Sequence, residues 1–126
     1  MKRRVLTFDF GASSGRAIIA EFDGTKIGLK EVHRFTNDAV TVGKTLYWDV
    51  LRLFFEIKQG ITKATLDGGF DAIGIDTWGV DFGILDKKGN LLANPVHYRD
   101  ERTEGMCEEV FKTVSKTELY KRTGSQ

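Results

Sequence analysis

The chain is 126 residues long, 40% hydrophobic and 29% charged, with 19 basic against 18 acidic residues and a formal net charge of +1. That length and apolar content fit one domain with a small core. The charge balance excludes the broad basic face that nucleic acid or an anionic membrane demands, so any phosphate site has to be built locally.

Along the chain, Val5 to Phe10 is a β-favouring run that ends in Asp9-Phe10-Gly11, and it reads as a short buried strand. Gly11-Ala12-Ser13-Ser14-Gly15 follows as a turn with glycine at both ends, and Arg16 to Phe22 reads as a second strand. Asp23-Gly24-Thr25-Lys26 is a hairpin turn, and Ile27 to Phe35 alternates imperfectly as a third strand. Three consecutive antiparallel strands therefore open the domain. Thr36 to Tyr47 carries turn residues without a helical period and reads as a loop.

At Trp48-Asp49 the period changes. Val50, Phe54, Ile57, Ile61 and Ala64 recur at helical spacing, the apolar stripe of an amphipathic helix. Asp49 is its expected N-cap, Trp48 is placed to staple onto Leu53, and Gly68-Gly69 is its expected end. Asp71 to Thr77 is a further strand whose small, apolar interior predicts burial on both faces, in the middle of a mixed sheet. Val80–Asp86 and Leu91–Ala93, joined by a turn at Lys87–Asn90, predict a second hairpin before Pro95. Thr103 is the expected cap of a helix carrying Met106, Val110, Phe111 and Val114. Ser115 and Glu118 form a capping box for a short helix ending near Gly124.

The single cysteine, Cys107, excludes an intrachain disulfide, suggests no metal framework, and reads as a half-buried helix filler. The basic opening MKRR meets Asp9 before any apolar signal region develops, and no apolar run approaches the ~18 residues of a membrane span. The expected setting is the cytoplasm. A helix crossover sets the strand at 71–77 parallel to a neighbour in the opening sheet. If that neighbour is the strand at 5–10, Asp9-Phe10-Gly11 and Asp76-Thr77-Trp78-Gly79 reach the same edge, where open α/β sheets bind ligands. The fold class is thus α/β, with a mixed sheet that is incomplete within 126 residues.

Two segments carry chemistry. In Asp9–Arg16, glycines let backbone N–H groups face an anion, the hydroxyls of Ser13 and Ser14 add donors, and Arg16 adds positive charge. Asp9 at the strand end is a ligand type suited to Mg²⁺, directly or through water. This is no Walker loop, because Gly-Lys-Ser/Thr is missing and a strand rather than a helix follows. The rival reading is an ordinary Gly-Ser hairpin. The second segment is Ile73–Phe82, which contains Trp78, Gly79 and Asp81. An aromatic face suits a sugar ring and a carboxylate accepts sugar hydroxyls, whereas the rival reading makes Trp78 core and Asp81 a solvated turn residue. Arg99, Asp100 and Arg102 either reach the cleft or pack the following helix. His33 and His97 fit no nucleophile or metal constellation and read as structural.

A strand ending D-F-G-A-S-S-G-R and feeding a second strand resembles the first phosphate loop of the actin, hexokinase and heat-shock ATPase superfamily. Within it, the segment is similar to the FGGY carbohydrate kinases. Ile73-Gly-Ile-Asp-Thr-Trp-Gly-Val-Asp-Phe82 resembles the version in members that phosphorylate L-rhamnulose, while glycerol and xylulose kinases carry other residues there. His33-Arg-Phe35, Tyr47-Trp-Asp-Val50 and Tyr98-Arg-Asp-Glu-Arg-Thr103 resemble segments of the same members in the same order.

The resemblance implies a ribonuclease-H-like sheet, of which residues 1–126 are the amino-terminal part of the first, sugar-binding domain. It implies that Ala12, Ser13, Ser14, Gly15 and Arg16 line the phosphates of ATP with Asp9 near Mg²⁺. It places Gly79 against the ketose, with Trp78 and Asp81 beside it. The implied reaction is transfer of the ATP γ-phosphate to L-rhamnulose. Alternatives are another ketose such as L-fuculose or xylulose, or a non-catalytic sugar- or phosphate-binding relative. The general base of the family falls downstream of Gln126, so no catalytic residue is assigned within these residues, which alone are expected to be inactive. An incomplete sheet leaves an edge through which copies of the chain are expected to pair.

Overall fold

The computed structural model describes residues 2–125. β1 (Arg3–Phe10) buries Leu6, Phe8 and Phe10 on one face by strict alternation. A three-residue turn returns the chain into β2 (Ser14–Phe22), antiparallel to β1 with Asp9 opposite Arg16. Asp23 accepts from the backbone N–H groups of Thr25 and Lys26 at 2.8 Å each, closing the turn into β3 (Ile27–Thr36). The imperfect alternation in β3 has a cause. Ala17 pairs with His33 but Ile18 pairs with Glu31, so Val32 is the extra residue of a bulge.

The segment expected to be a loop holds a small hairpin instead. β4 (Val40–Val42) and β5 (Thr45–Tyr47) pair antiparallel around Gly43, whose φ of +63° suits a tight turn. Three-residue strands are too short to show a period in the sequence.

α1 (Val50–Leu66) starts where expected, with Asp49 accepting from the Arg52 N–H at 3.0 Å, and ends at Gly68 and Gly69, both at positive φ. It lies across the face of the sheet that carries Phe8 and Ala17. Its buried line runs through Glu56, Gly60 and Ala64, flanked by the partly buried Leu53, Ile57 and Ile61, while Phe54 is 58% exposed. The expected stripe thus faces the sheet through Ile57, Ile61 and Ala64, and Phe54 is the member left in solvent. Glu56 joins the same buried face, where it bonds His33 of β3.

The crossover delivers β6 (Ala72–Asp76) parallel to β1, giving the order β3-β2-β1-β6 and setting Asp76 beside Asp9. The strand exists as expected, but it is the edge of this sheet rather than its middle. Ile73 and Ile75 are 47% and 56% exposed, because no described residue pairs with the outer edge of β6 or packs across both its faces.

Beyond β6 the expected second hairpin shrinks to one bridge, Leu85 with Leu91, over a turn in which Asp86 binds the N–H groups of Lys88 and Asn90. Thr103 does not cap the next helix. It closes a 3-10 turn (Glu101–Thr103) capped by Asp100, and α2 (Met106–Phe111) begins after Gly105. Cys107 on α2 is exposed, not half-buried. α3 (Lys116–Thr123) has the expected Ser115 cap on the Glu118 N–H at 3.2 Å and stops at Gly124 with φ +70°. Among the described residues no helix is long and apolar enough to cross a membrane.

Candidate functional site

Parallel pairing of β1 and β6 brings two polar strand ends to one edge of the sheet. After β1 comes the turn Gly11–Ser13. The Gly11 N–H donates to the Ser14 carbonyl at 2.9 Å, and a Cβ on Gly11 would sit 2.9 Å from that oxygen. Gly15 presses on Phe35, whose ring would lie 2.1 Å from an added Cβ. Both glycines are thus required by close approach of backbone to backbone or ring. Ser13 is exposed, Ala12 and Ser14 are half-buried, and Arg16 is paired with Asp9 at 3.1 Å. The two side chains of that pair are 40% and 48% exposed, so water screens them and the pair holds weakly. The Arg16 guanidinium can turn to an arriving anion at little cost.

Sequence reasoning missed Asn37. It is 6% exposed, donates from Nδ2 to the Gly11 carbonyl at 2.8 Å, and donates its backbone N–H to the Ser13 carbonyl at 3.0 Å. It braces the turn from below. The available signal was an amide residue directly after a strand, one that pairs with the turn only in three dimensions.

After β6 comes Thr77–Asp81. Trp78 stacks on Trp48 with ring centroids 4.0 Å apart, and Trp48 stacks in turn on His97 at 3.9 Å and His97 on Tyr98 at 4.6 Å. The Trp48 indole N–H donates to Asp81 Oδ2 at 2.5 Å, and the Tyr98 backbone N–H reaches the same oxygen at 3.3 Å. Trp78 is therefore half-buried beside the core, with one face committed to Trp48. Gly79 is exposed, and a Cβ built on it meets nothing within 4 Å. A cleft of about 180 Å³ opens beside this turn, lined by Thr77, Trp78 and Asp81 among others. A neighbouring hollow of about 290 Å³ joins Phe10 at the end of β1 to Trp78.

Arg99 lies over the Tyr98 ring at 5.2 Å, and Asp100 accepts from the N–H groups of Leu46 and Arg102 at 2.7 and 3.0 Å. Those bonds, that of Leu46 first, hold the Asp100 carboxyl below its ordinary range. Asp100 is thus a packing residue. Both histidines are built into the fold. His97 is buried, and that burial pushes its pKa down, with Asp81 opposing and Arg99 assisting. His33 bonds Glu56 at 2.6 Å and Lys63 at 2.8 Å. Burial pushes the Glu56 carboxyl up, but its bonds to His33 and Arg52 outweigh that and hold it low.

The donor set around Gly11–Arg16 fits a polyphosphate, with backbone amides, two hydroxyls and one guanidinium held only by a solvent-screened ion pair. Asp9 and Asp76, side by side in register, suit a hydrated Mg²⁺. No group of three or more His, Cys, Asp or Glu among the described residues forms a cage that would hold a metal without substrate.

Residues 4–126 match the model of the FGGY family of carbohydrate kinases, N-terminal domain. The chain belongs to the FGGY family. Rhamnulokinases from Oceanobacillus iheyensis and Bacteroides thetaiotaomicron are 46% and 42% identical to it across 100% of its length. One from Klebsiella pneumoniae strain 342 is 41% identical over 98% of it. The chain spans 27%, 26% and 26% of those relatives. In solved structures the fold matches gluconate kinase from Lactobacillus acidophilus with a TM-score of 0.78, covering 99% of this chain and 25% of that one at 15% identity. It matches ligand-bound xylulose kinase from the same species at 0.76, covering 96% and 25%, again at 15% identity. Likeness at that identity shows the FGGY fold alone.

Proposed function

We propose that residues 1–126 are the amino-terminal part of the sugar-binding domain of an ATP-dependent L-rhamnulose kinase, the product being L-rhamnulose 1-phosphate. The observation that carries this reading is the parallel β1–β6 pairing, which ends both strands at one sheet edge; the glycine-serine turn and the Trp78-Gly79 turn that follow are read as the donor and acceptor sides. The choice of L-rhamnulose rests on identity of 38–46% to rhamnulokinases over 96–100% of the chain.

In this reading the amides and hydroxyls of Ala12 to Gly15, with Arg16, hold the phosphates of ATP. Asp9 takes the Mg²⁺ side, and Mg²⁺ when bound neutralises charge on the phosphate oxygens. Gly79 lets the ketose approach the backbone with Trp78 and Asp81 beside it. The sugar's primary hydroxyl oxygen forms the new bond to the γ-phosphorus as the bond to the ADP oxygen breaks, and its proton passes to a base that the downstream chain supplies. Positioning and charge stabilisation account for most of such catalysis, so the residues here orient both substrates but do not complete the reaction. A cytoplasmic setting suits this reading, since it supplies ATP and keeps the free thiol of Cys107 reduced.

The test is MgATP-dependent ADP release by the chain extended through its native downstream sequence, with L-rhamnulose, L-fuculose, xylulose and glycerol. Selective turnover of L-rhamnulose is expected. Preference for another sugar would retain the kinase and discard the substrate, and no turnover with any of them, from folded protein, would overturn the reading.

A further inference from the structure

Val80 is the one non-glycine residue with positive φ among the described residues, at +73°. A β-branched side chain is poorly suited to that region, so something nearby has to hold it there. Among the described residues the strong tether of the turn is the next one, Asp81. Asp81 Oδ2 receives the Trp48 indole N–H at 2.5 Å and the Tyr98 backbone N–H at 3.3 Å. Trp48 itself cannot move away: it is 1% exposed and clamped between Trp78 and His97. The Val80 side chain contributes nothing in return, since it is 83% exposed. Gly79 has open space around it and gains no support from packing.

We infer that Trp48 and Asp81 are positioning residues that pin the Gly79–Asp81 turn in its left-handed conformation, so that Asp81 acts on the sugar through the backbone of Gly79 rather than through its own Oδ2. The inference rests on the sugar-site reading given above. The pin assigns the buried Trp48 a role in substrate geometry, although its ring lies behind the turn. It also accounts for a strained valine where glycine would sit without cost: with valine, the turn keeps this shape only while the pin is made.

The experiment uses the full-length protein, steady-state kinetics with L-rhamnulose and MgATP, and hydrogen exchange across residues 79–81. Trp48→Phe keeps an aromatic ring in the stack and removes the donor. It is expected to raise KM for L-rhamnulose about tenfold while leaving KM for MgATP within about twofold, the scale of one lost charge-assisted hydrogen bond. Exchange at 79–81 is expected to quicken. Adding Val80→Gly, which adopts φ +73° without steric cost, is expected to restore most of the KM for L-rhamnulose. Should Trp48→Phe not fold, Asp81→Ala with and without Val80→Gly gives the same reading, because glycine rescues a lost pin but not a lost sugar ligand. An unmoved KM for the sugar, a parallel rise for both substrates, or no rescue by Val80→Gly would overturn the inference while leaving the kinase intact. A folded wild type that turns over no ketose would overturn the sugar reading, and this inference with it.

Discussion

Gly60 sits in the middle of α1 where the helix crosses the sheet, and replacing it by alanine sets two effects against each other. Alanine in a helix interior is favoured over glycine by about 1 kcal/mol. Against that, the new Cβ would lie 2.6 and 2.9 Å from the Phe8 ring and 3.0 Å from the Ala17 Cβ. Phe8 is 1% exposed and stacked on Phe10 at 6.1 Å, so its ring has nowhere to turn and α1 has to lift from the sheet. Overpacking of this kind costs about 1–3 kcal/mol, so Gly60→Ala is expected to lower stability by a net ~0–2 kcal/mol despite its better helix propensity. The measurement is urea unfolding followed by tryptophan fluorescence, which reports through the buried Trp48. Phe8→Leu removes the obstructing ring, so the cost of Gly60→Ala is expected to shrink in that background. Stabilisation by Gly60→Ala alone, or an equal cost in both backgrounds, would refute close packing of α1 on Phe8.

Gly79→Ala is expected to leave stability unchanged, since its Cβ meets nothing within 4 Å, and to raise KM for the ketose; thermal melting and kinetics together decide this. Asn37→Ala removes the brace under the Gly11 carbonyl and is expected to cost about 1–2 kcal/mol of stability and to raise KM for MgATP more than KM for sugar. His97 titrates below the ordinary histidine value when folded, so the unfolded chain binds its proton more readily. Its contribution to stability is present above that ordinary value and is lost as pH falls from there through the lower folded value, and His97→Phe is expected to flatten that part of a stability–pH profile. The 126-residue chain alone is expected to self-associate through the open edge of β6 and the exposed Ile73 and Ile75; a clean monomer by light scattering would contradict this.

The opening sheet, the start and end of α1, the existence of β6 and the cap of α3 were legible from the chain alone. Local chemistry determines each of them: β-favouring runs ended by Asp-Gly or Gly-Ser turns, an Asp49 cap, and a double glycine stop. So was the resemblance of Asp9–Arg16 to a phosphate turn, because glycine and hydroxyl spacing is itself the requirement for an anion-facing backbone. What tertiary structure alone decided depends on partners distant in sequence. That α1 buries a carboxylate beside its apolar stripe follows from Glu56 meeting His33, which apolar periodicity ignores. Asn37 became a support for the Gly11 turn because β3 returns beside β2. Trp48 and Asp81, 33 residues apart, became one unit because the crossover and the loop after β6 fold onto the same corner of the sheet. The apolar run of β6 predicted a buried strand, yet burial is a property of what surrounds a strand. Sequence specifies which side chains seek cover, and only the assembled fold determines whether they find it.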